Sequence, residues 1–153
     1  MACALLLLIV GNSMPWLLGR LLGEHLRLPL DFGFTLRDGR ALFGAHKTWR
    51  GLLGGLFGGA LTAELCGLRW QLGLEFAALT LAGDALSSTL KRRLAIRPGR
   101  EVPGLDQLPE ALLPLALLRT GLGLDWPQVA ATAAIFFVLD LAAAGFRREV
   151  VRT

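Results

Sequence analysis

The chain has 153 residues, 54% of them hydrophobic, a formal charge of +4 and a mean hydropathy of +0.54. This is too apolar for a water-soluble domain of that size unless the apolar residues fall in long blocks. A modest positive charge raises the question of nucleic acid, but no nucleic-acid-binding motif is present; membrane topology and an anionic lipid or substrate account for the charge.

A spanning helix needs roughly 20 predominantly apolar residues, and such blocks occur at 2–20, 51–68, 71–90, 111–124 and 127–146. The fourth is short and contains Pro114. The expected fold is an all-α integral membrane protein, a single membrane domain over 1–153 with about five transmembrane helices and cytoplasmic loops at 21–50 and 91–110 that form the site.

The first block lacks a preceding positive charge and is interrupted by Asn12, Ser13 and Pro15, so it is expected to stay in the mature protein. Cys3 in this block and Cys66 in the next show no metal or redox spacing and read as free thiols. The segment that follows, 20–50, carries a hairpin signal around Asp38-Gly39 and runs into Leu42-Phe43-Gly44-Ala45-His46-Lys47-Thr48-Trp49-Arg50-Gly51. His25 and His46 read as surface residues. In the second block Gly51, Gly55 and Gly59 recur at every fourth position, with Gly54 and Gly58 beside them, which lets another helix approach closely.

The third block ends in Gly83-Asp84-Ala85-Leu86-Ser87-Ser88-Thr89-Leu90-Lys91-Arg92-Arg93. At 3.6 residues per turn Asp84, Ser87, Ser88 and Lys91 share one face. Asp84 lies about 10 Å below the helix end by the helical rise. A carboxylate at that depth marks a function by default, the alternative being an ion pair with an arginine of a neighbouring helix. Beyond it, Pro98-Gly99 and Pro103-Gly104 predict turns before Asp106-Gln107-Leu108-Pro109-Glu110. Asp140 in the fifth block has a similar depth to Asp84 and could share a metal with it or make a helix-packing hydrogen bond.

Basic residues orient the chain: six in 20–50, five in 91–110 and three in the tail stand against Arg69 and Arg119 on the other side. Excess Lys and Arg marks the cytoplasmic side, placing the N-terminus outside, the C-terminus inside and the protein in the cell (inner) membrane as a multi-pass protein. Trp70 and Trp126 fall at outer helix ends and Trp49 at an inner one.

Lys47, Arg50, Lys91, Arg92 and Arg93 converge on the inner ends of the second and third helices. Singly these would be topology anchors; with Thr48 and a helix N-terminus beginning near it they form a phosphate clamp. Mg²⁺ takes oxygen ligands, one or two carboxylates plus substrate phosphates, and Asp84 and Asp106 with Ser87 or Ser88 supply those atoms. Zinc ligand sets, serine-hydrolase elbows, P-loops and dinucleotide fingerprints are absent, leaving metal-assisted phosphoryl or nucleotidyl transfer.

The run from Leu42 to Gly51, the run from Gly83 to Arg93, Pro98-Gly99 and Leu105-Asp106-Gln107 together closely resemble the CDP-archaeol synthase family over nearly the whole chain. Ser87-Ser88-Thr89-Leu90-Lys91-Arg92 also looks like the start of the wider CDP-diacylglycerol synthase signature, whose later His-Gly-Gly is absent. The resemblance implies a cytidylyltransferase that converts a membrane lipid phosphate, archaeol-type or phosphatidate-like, and CTP into a CDP-lipid and pyrophosphate with Mg²⁺. Asp84, Lys91 and Asp106 are then expected as catalytic residues, with Asp84 and Asp106 on the metal. Lys47, Thr48, Arg50, Ser87, Ser88, Arg92 and Arg93 are expected to contact substrate. A homodimer is compatible with this reading. The competing readings are a phospholipid head-group transferase, which needs several aspartates along a helix pair, and a small transporter or assembly subunit, which needs polar residues at outer depth where only Glu64 and Glu75 occur.

Overall fold

The computed structural model describes residues 1–34, 43, 47–96 and 102–152, with side chains in the last helix described as far as 144. Five helices follow one another: α1 (Ala2–Leu22), α2 (Trp49–Leu65), α3 (Trp70–Arg93), α4 (Gln107–Leu117) and α5 (Trp126–Arg152). The predicted Asp38-Gly39 hairpin, Gly44, His46 and Pro98-Gly99 lie outside the described residues. Among the described residues, Ala2–Leu22 and Trp126–Ala144 are the two stretches both long and apolar enough to cross a membrane by length and composition. α3 is longer than α1, but its last two turns hold the charged run.

The helices start and stop for identifiable reasons. Thr48 is extended and its Oγ1 accepts from the Gly51 amide at 3.3 Å, capping α2 at its N-terminus. The turn into α3 passes through Gly67 at φ +73°, a backbone region that glycine enters without a Cβ penalty.

α4 departs from the expected 111–124. It begins four residues earlier, at Gln107, because Pro109 sits in its first turn, where the missing N–H has no intrahelical acceptor to lose. It also ends earlier, at Leu117, and a turn region containing Gly121 and Gly123 leads to α5. Eleven residues give a helix of about 16 Å, half a bilayer's hydrocarbon thickness.

α3 packs between α2 and α4, while α1 touches α2, α3 and α5. The apolar core lies toward the end that holds Met1 and the α2–α3 turn: Leu7, Leu8, Phe76, Leu115 and Phe136 are almost fully buried there, with Ala4, Ala63 and Ala111 filling the gaps. On α2 the two faces differ in kind. Gly51, Gly55, Gly58 and Gly59 are buried, whereas Leu53, Phe57 and Leu61, four residues apart, are exposed. An exposed apolar stripe opposite a buried glycine stripe suits a helix facing lipid on one side and a helix on the other. Cys3 and Cys66 are free thiols.

Candidate active site

The polar residues gather at the opposite end of the bundle, where α2 and α4 begin and α3 ends. The chain leaving α1 turns back so that residues 28–30 run antiparallel to 47–49: the Leu30 amide donates to the Lys47 carbonyl at 2.7 Å, and the Trp49 amide to the Leu28 carbonyl at 2.9 Å. Asp31, nearly buried, accepts from the amides of Gly33 and Phe43 at 3.1 Å each and fixes this strap from beneath. Lys47 is thereby held in an extended segment at the mouth of α2, from which its ammonium reaches across to the Asp84 carboxylate of α3.

A second acid–base pair lies one step along. Lys91, in the last turn of α3, meets Asp106 Oδ1 at 2.7 Å, with both side chains largely shielded. The other oxygen, Asp106 Oδ2, accepts from the Val102 amide at 2.9 Å. Asp84 and Asp106, expected as metal ligands, are thus each matched with a lysine expected on phosphate. Half-buried charges of opposite sign neutralise one another at moderate desolvation cost.

The hydroxyls expected on substrate have local partners. Ser87 Oγ donates to the Asp84 carbonyl at 2.9 Å, and both Ser87 and Ser88 are buried. Thr48 caps α2. Arg92 is buried in the last turn of α3, and Arg93 follows it. Arg50 points elsewhere: its Nη1 donates to the carbonyls of Gly23 at 2.7 Å and His25 at 2.6 Å, tying the start of α2 to the chain leaving α1.

Three residues escaped the sequence reading. Glu110 on α4 is buried, 5% exposed, and lies within electrostatic reach of Asp84, Asp140, Lys47 and Asp106. Gln107 donates from Nε2 to Asp140 Oδ2 at 2.9 Å, and Asn12 donates from Nδ2 to Asp140 Oδ1 at 2.9 Å. The signal was available: Gln107, Glu110, Ala111, Pro114 and Leu115 are the buried residues of α4, and their spacing is that of one helical face. Among the described residues no group of three or more His, Cys, Asp or Glu is arranged to hold a metal ion. Asp84 and Asp106 are oxygen donors, the ligand type that Mg²⁺ takes.

A family model described as CarS-like CDP-archaeol synthase matches residues 3–144. The chain belongs to that family. Its relatives include the CDP-archaeol synthase of Pyrococcus furiosus, 41% identical over an alignment of 107 positions that covers 63% of this chain and 60% of that protein. The CDP-archaeol synthase of Aeropyrum pernix is 39% identical over an alignment of 143 positions that covers 88% of this chain and 78% of that protein. A solved structure described as an intramembrane enzyme for archaeal membrane lipid biosynthesis has a TM-score of 0.73 and 34% identity, covering 93% of this chain and 90% of the solved one. The family resemblance is therefore established, and the named elements among the described residues of this CarS-like membrane protein are all helices, two of them long and apolar enough to cross a membrane.

Proposed function

We propose that the protein is a CTP-dependent cytidylyltransferase that joins a membrane lipid phosphate to CMP and releases pyrophosphate. The observation that carries this reading is the pairing of Lys47 with Asp84 and of Lys91 with Asp106 at one end of the bundle, in a chain that matches the CDP-archaeol synthase family from residue 3 to residue 144. The lipid phosphate attacks the α-phosphorus of CTP, the new P–O bond forms as the bond to the β-phosphate oxygen breaks, and pyrophosphate leaves toward water. The attacking oxygen is already anionic, so a base is not required.

The residues act by positioning and by charge. In the free protein the two lysines and two aspartates balance each other. When the triphosphate enters, Lys47 and Lys91 turn to its oxygens, with Arg92 and Arg93 adding positive charge from the same helix end. Asp84 and Asp106 are thereby freed, and they are the residues that would hold Mg²⁺, which would supply charge neutralisation at the phosphates. Ser87 and Ser88 line the Asp84 face, and Thr48 holds the α2 N-terminus toward the phosphates. Arg50 secures the strap that carries Lys47.

The polar end faces the cytoplasm, a reading supported by the excess of Lys and Arg there. In a background lacking both native cysteines, a cysteine at position 97 should resist labelling from outside intact cells, whereas a tag after Arg69 should be accessible; the reverse pattern rejects this orientation.

The test of function is incubation of the purified protein with labelled CTP, Mg²⁺ and a panel of isoprenoid and acyl glycerol phosphates. CDP-lipid and pyrophosphate should appear in equal amounts and only with a lipid phosphate. Absence of both products across the panel, with no CTP binding by calorimetry, rejects the proposal.

A further inference from the structure

We propose that Asp140 is a positioning residue: through Gln107 it fixes the segment entering α4, and with it Asp106, in register with Lys91. This rests on the reading of the Lys91–Asp106 pair as part of a nucleotidyl-transfer site.

Asp140 belongs to α5 and receives two donors from two other helices. Asn12 of α1 donates to Oδ1 at 2.9 Å, and Gln107 of α4 donates to Oδ2 at 2.9 Å. Gln107 is 3% exposed, and its own Oε1 accepts from the Gly104 amide at 2.9 Å. Its chain neighbour Asp106 accepts from the Val102 amide at 2.9 Å and meets Lys91 at 2.7 Å. A continuous path thus runs from the two long apolar helices, through one carboxylate and one amide, to the backbone at 102–107 and the site.

A carboxylate suits the centre of this path because it only accepts, whereas both facing groups donate. An amide at 140 would turn an NH₂ group toward one of them. The segment also needs an external anchor. α4 has 11 residues, and Asp106 makes no side-chain cap for it, so the Gln107–Asp140 bond adds a tie to α5 beside the contact that the first turn makes with Gly83 of α3. By depth alone Asp140 is open to a second role, sharing a metal with Asp84. Its two oxygens accept amide N–H groups from two different helices, and this geometry supports the packing role.

The path can be reversed chemically. Gln107→Glu sets two carboxylates against each other. Adding Asp140→Asn restores a donor–acceptor pair with the polarity exchanged, and the carboxylate introduced by Gln107→Glu can still accept from the Gly104 amide. Amide hydrogen exchange at Val102 and Gly104 and CDP-lipid turnover should be measured on the full-length protein in nanodiscs. Repelled by Asp140, the carboxylate of Gln107→Glu is driven away from the Gly104 amide, so we expect this single variant to raise exchange at Gly104 and lower kcat by at least roughly tenfold with a smaller change in KM for CTP. The double variant Q107E/D140N should recover most of both, at an unchanged melting temperature.

Unchanged exchange at Gly104 in folded Gln107→Glu, or a double variant no better than the single one, overturns the proposal. Should Gln107→Glu fail to fold, Gln107→Met keeps the length and removes both polar atoms. It must then show the same raised exchange, and normal protection at Gly104 would count against the path. The exchange measurement needs no substrate, so a wild-type protein that protects Gly104 yet makes no CDP-lipid rejects the functional reading and leaves the path standing.

Discussion

α3 makes two very close approaches to its neighbours, and the comparison separates what holds the bundle from what shapes the site. Near one end Gly73 lies against Gly59 of α2: a Cβ on Gly73 would stand 2.3 Å from the Gly59 carbonyl oxygen and 2.6 Å from the Ala63 Cβ. Ten residues on, Gly83 lies against α4, where a Cβ would stand 2.4 Å from the Pro109 carbonyl oxygen and 2.7 Å from the Glu110 Cα. Both contacts are with backbone, which has no rotamer to yield. The first sits beside the apolar core and the second beside Asp84. Tight packing in a membrane substitutes for a hydrophobic drive that lipid does not supply, but only the second contact also decides how far a carboxylate of the proposed site stands from α4.

The largest effect is expected at the residue adjoining the second contact. Asp84→Asn keeps the shape and removes the charge that balances Lys47 and would hold the metal. Turnover should fall by at least roughly a hundredfold, about 2.7 kcal/mol of transition-state stabilisation, while the protein still inserts and folds. Near wild-type turnover at limiting Mg²⁺ would remove Asp84 from the reaction.

Gly83→Ala comes next. The new methyl pushes the start of α4 away from α3, so both stability and chemistry should suffer: about 1–3 kcal/mol of stability from overpacking, and a fall in kcat of roughly tenfold. Gly73→Ala should match that loss of stability while keeping kcat of the folded fraction within about twofold, since the wedge opens α2 from α3 far from the charges. Equal kcat losses in the two variants would show that the bundle transmits strain along its whole length and that the two contacts do not differ in function.

Much of this division is legible in the sequence. Five apolar blocks, the four-residue glycine spacing on α2 and the collection of Lys47, Asp84, Lys91 and Asp106 near one end all follow from periodicity and from the cost of charge in lipid. Which lysine meets which aspartate is not, because pairing depends on how three helix ends are offset and on the strap at 28–30 that holds Lys47. Arg50 shows the same limit: its charge suggests phosphate, and its position delivers it to the carbonyls of Gly23 and His25. The start of α4 is misplaced by hydropathy because the polar run from Asp106 to Glu110, with Pro109 inside it, reads as loop, although a first-turn proline breaks nothing. That displacement hides Gln107 and Glu110 in an expected loop.

The smallest effect is expected at a third glycine on a helix contact, Gly11 of α1, which faces Thr80 of α3. Gly11 is buried, yet an added Cβ would stand 3.4 Å from Thr80 Cγ2, an ordinary van der Waals distance, and its other near atoms belong to the same side chain. Thr80 is held by its own hydroxyl, which donates to the Phe76 carbonyl at 3.0 Å, so it can accept a methyl neighbour without losing a partner. Gly11→Ala also removes backbone freedom from the middle of a helix, worth about 0.5–1 kcal/mol in favour of the folded state. The variant should therefore be neutral or slightly more stable by thermal unfolding, with unchanged turnover. Gly11 lies one position from Asn12, whose side chain reaches Asp140, so the same variant reports whether α1 can be altered beside that hydrogen bond without disturbing it. A loss of stability as large as that of Gly73→Ala would mean that every buried glycine in this bundle is equally constrained, and the distinction between backbone-limited and side-chain-limited contacts would fall.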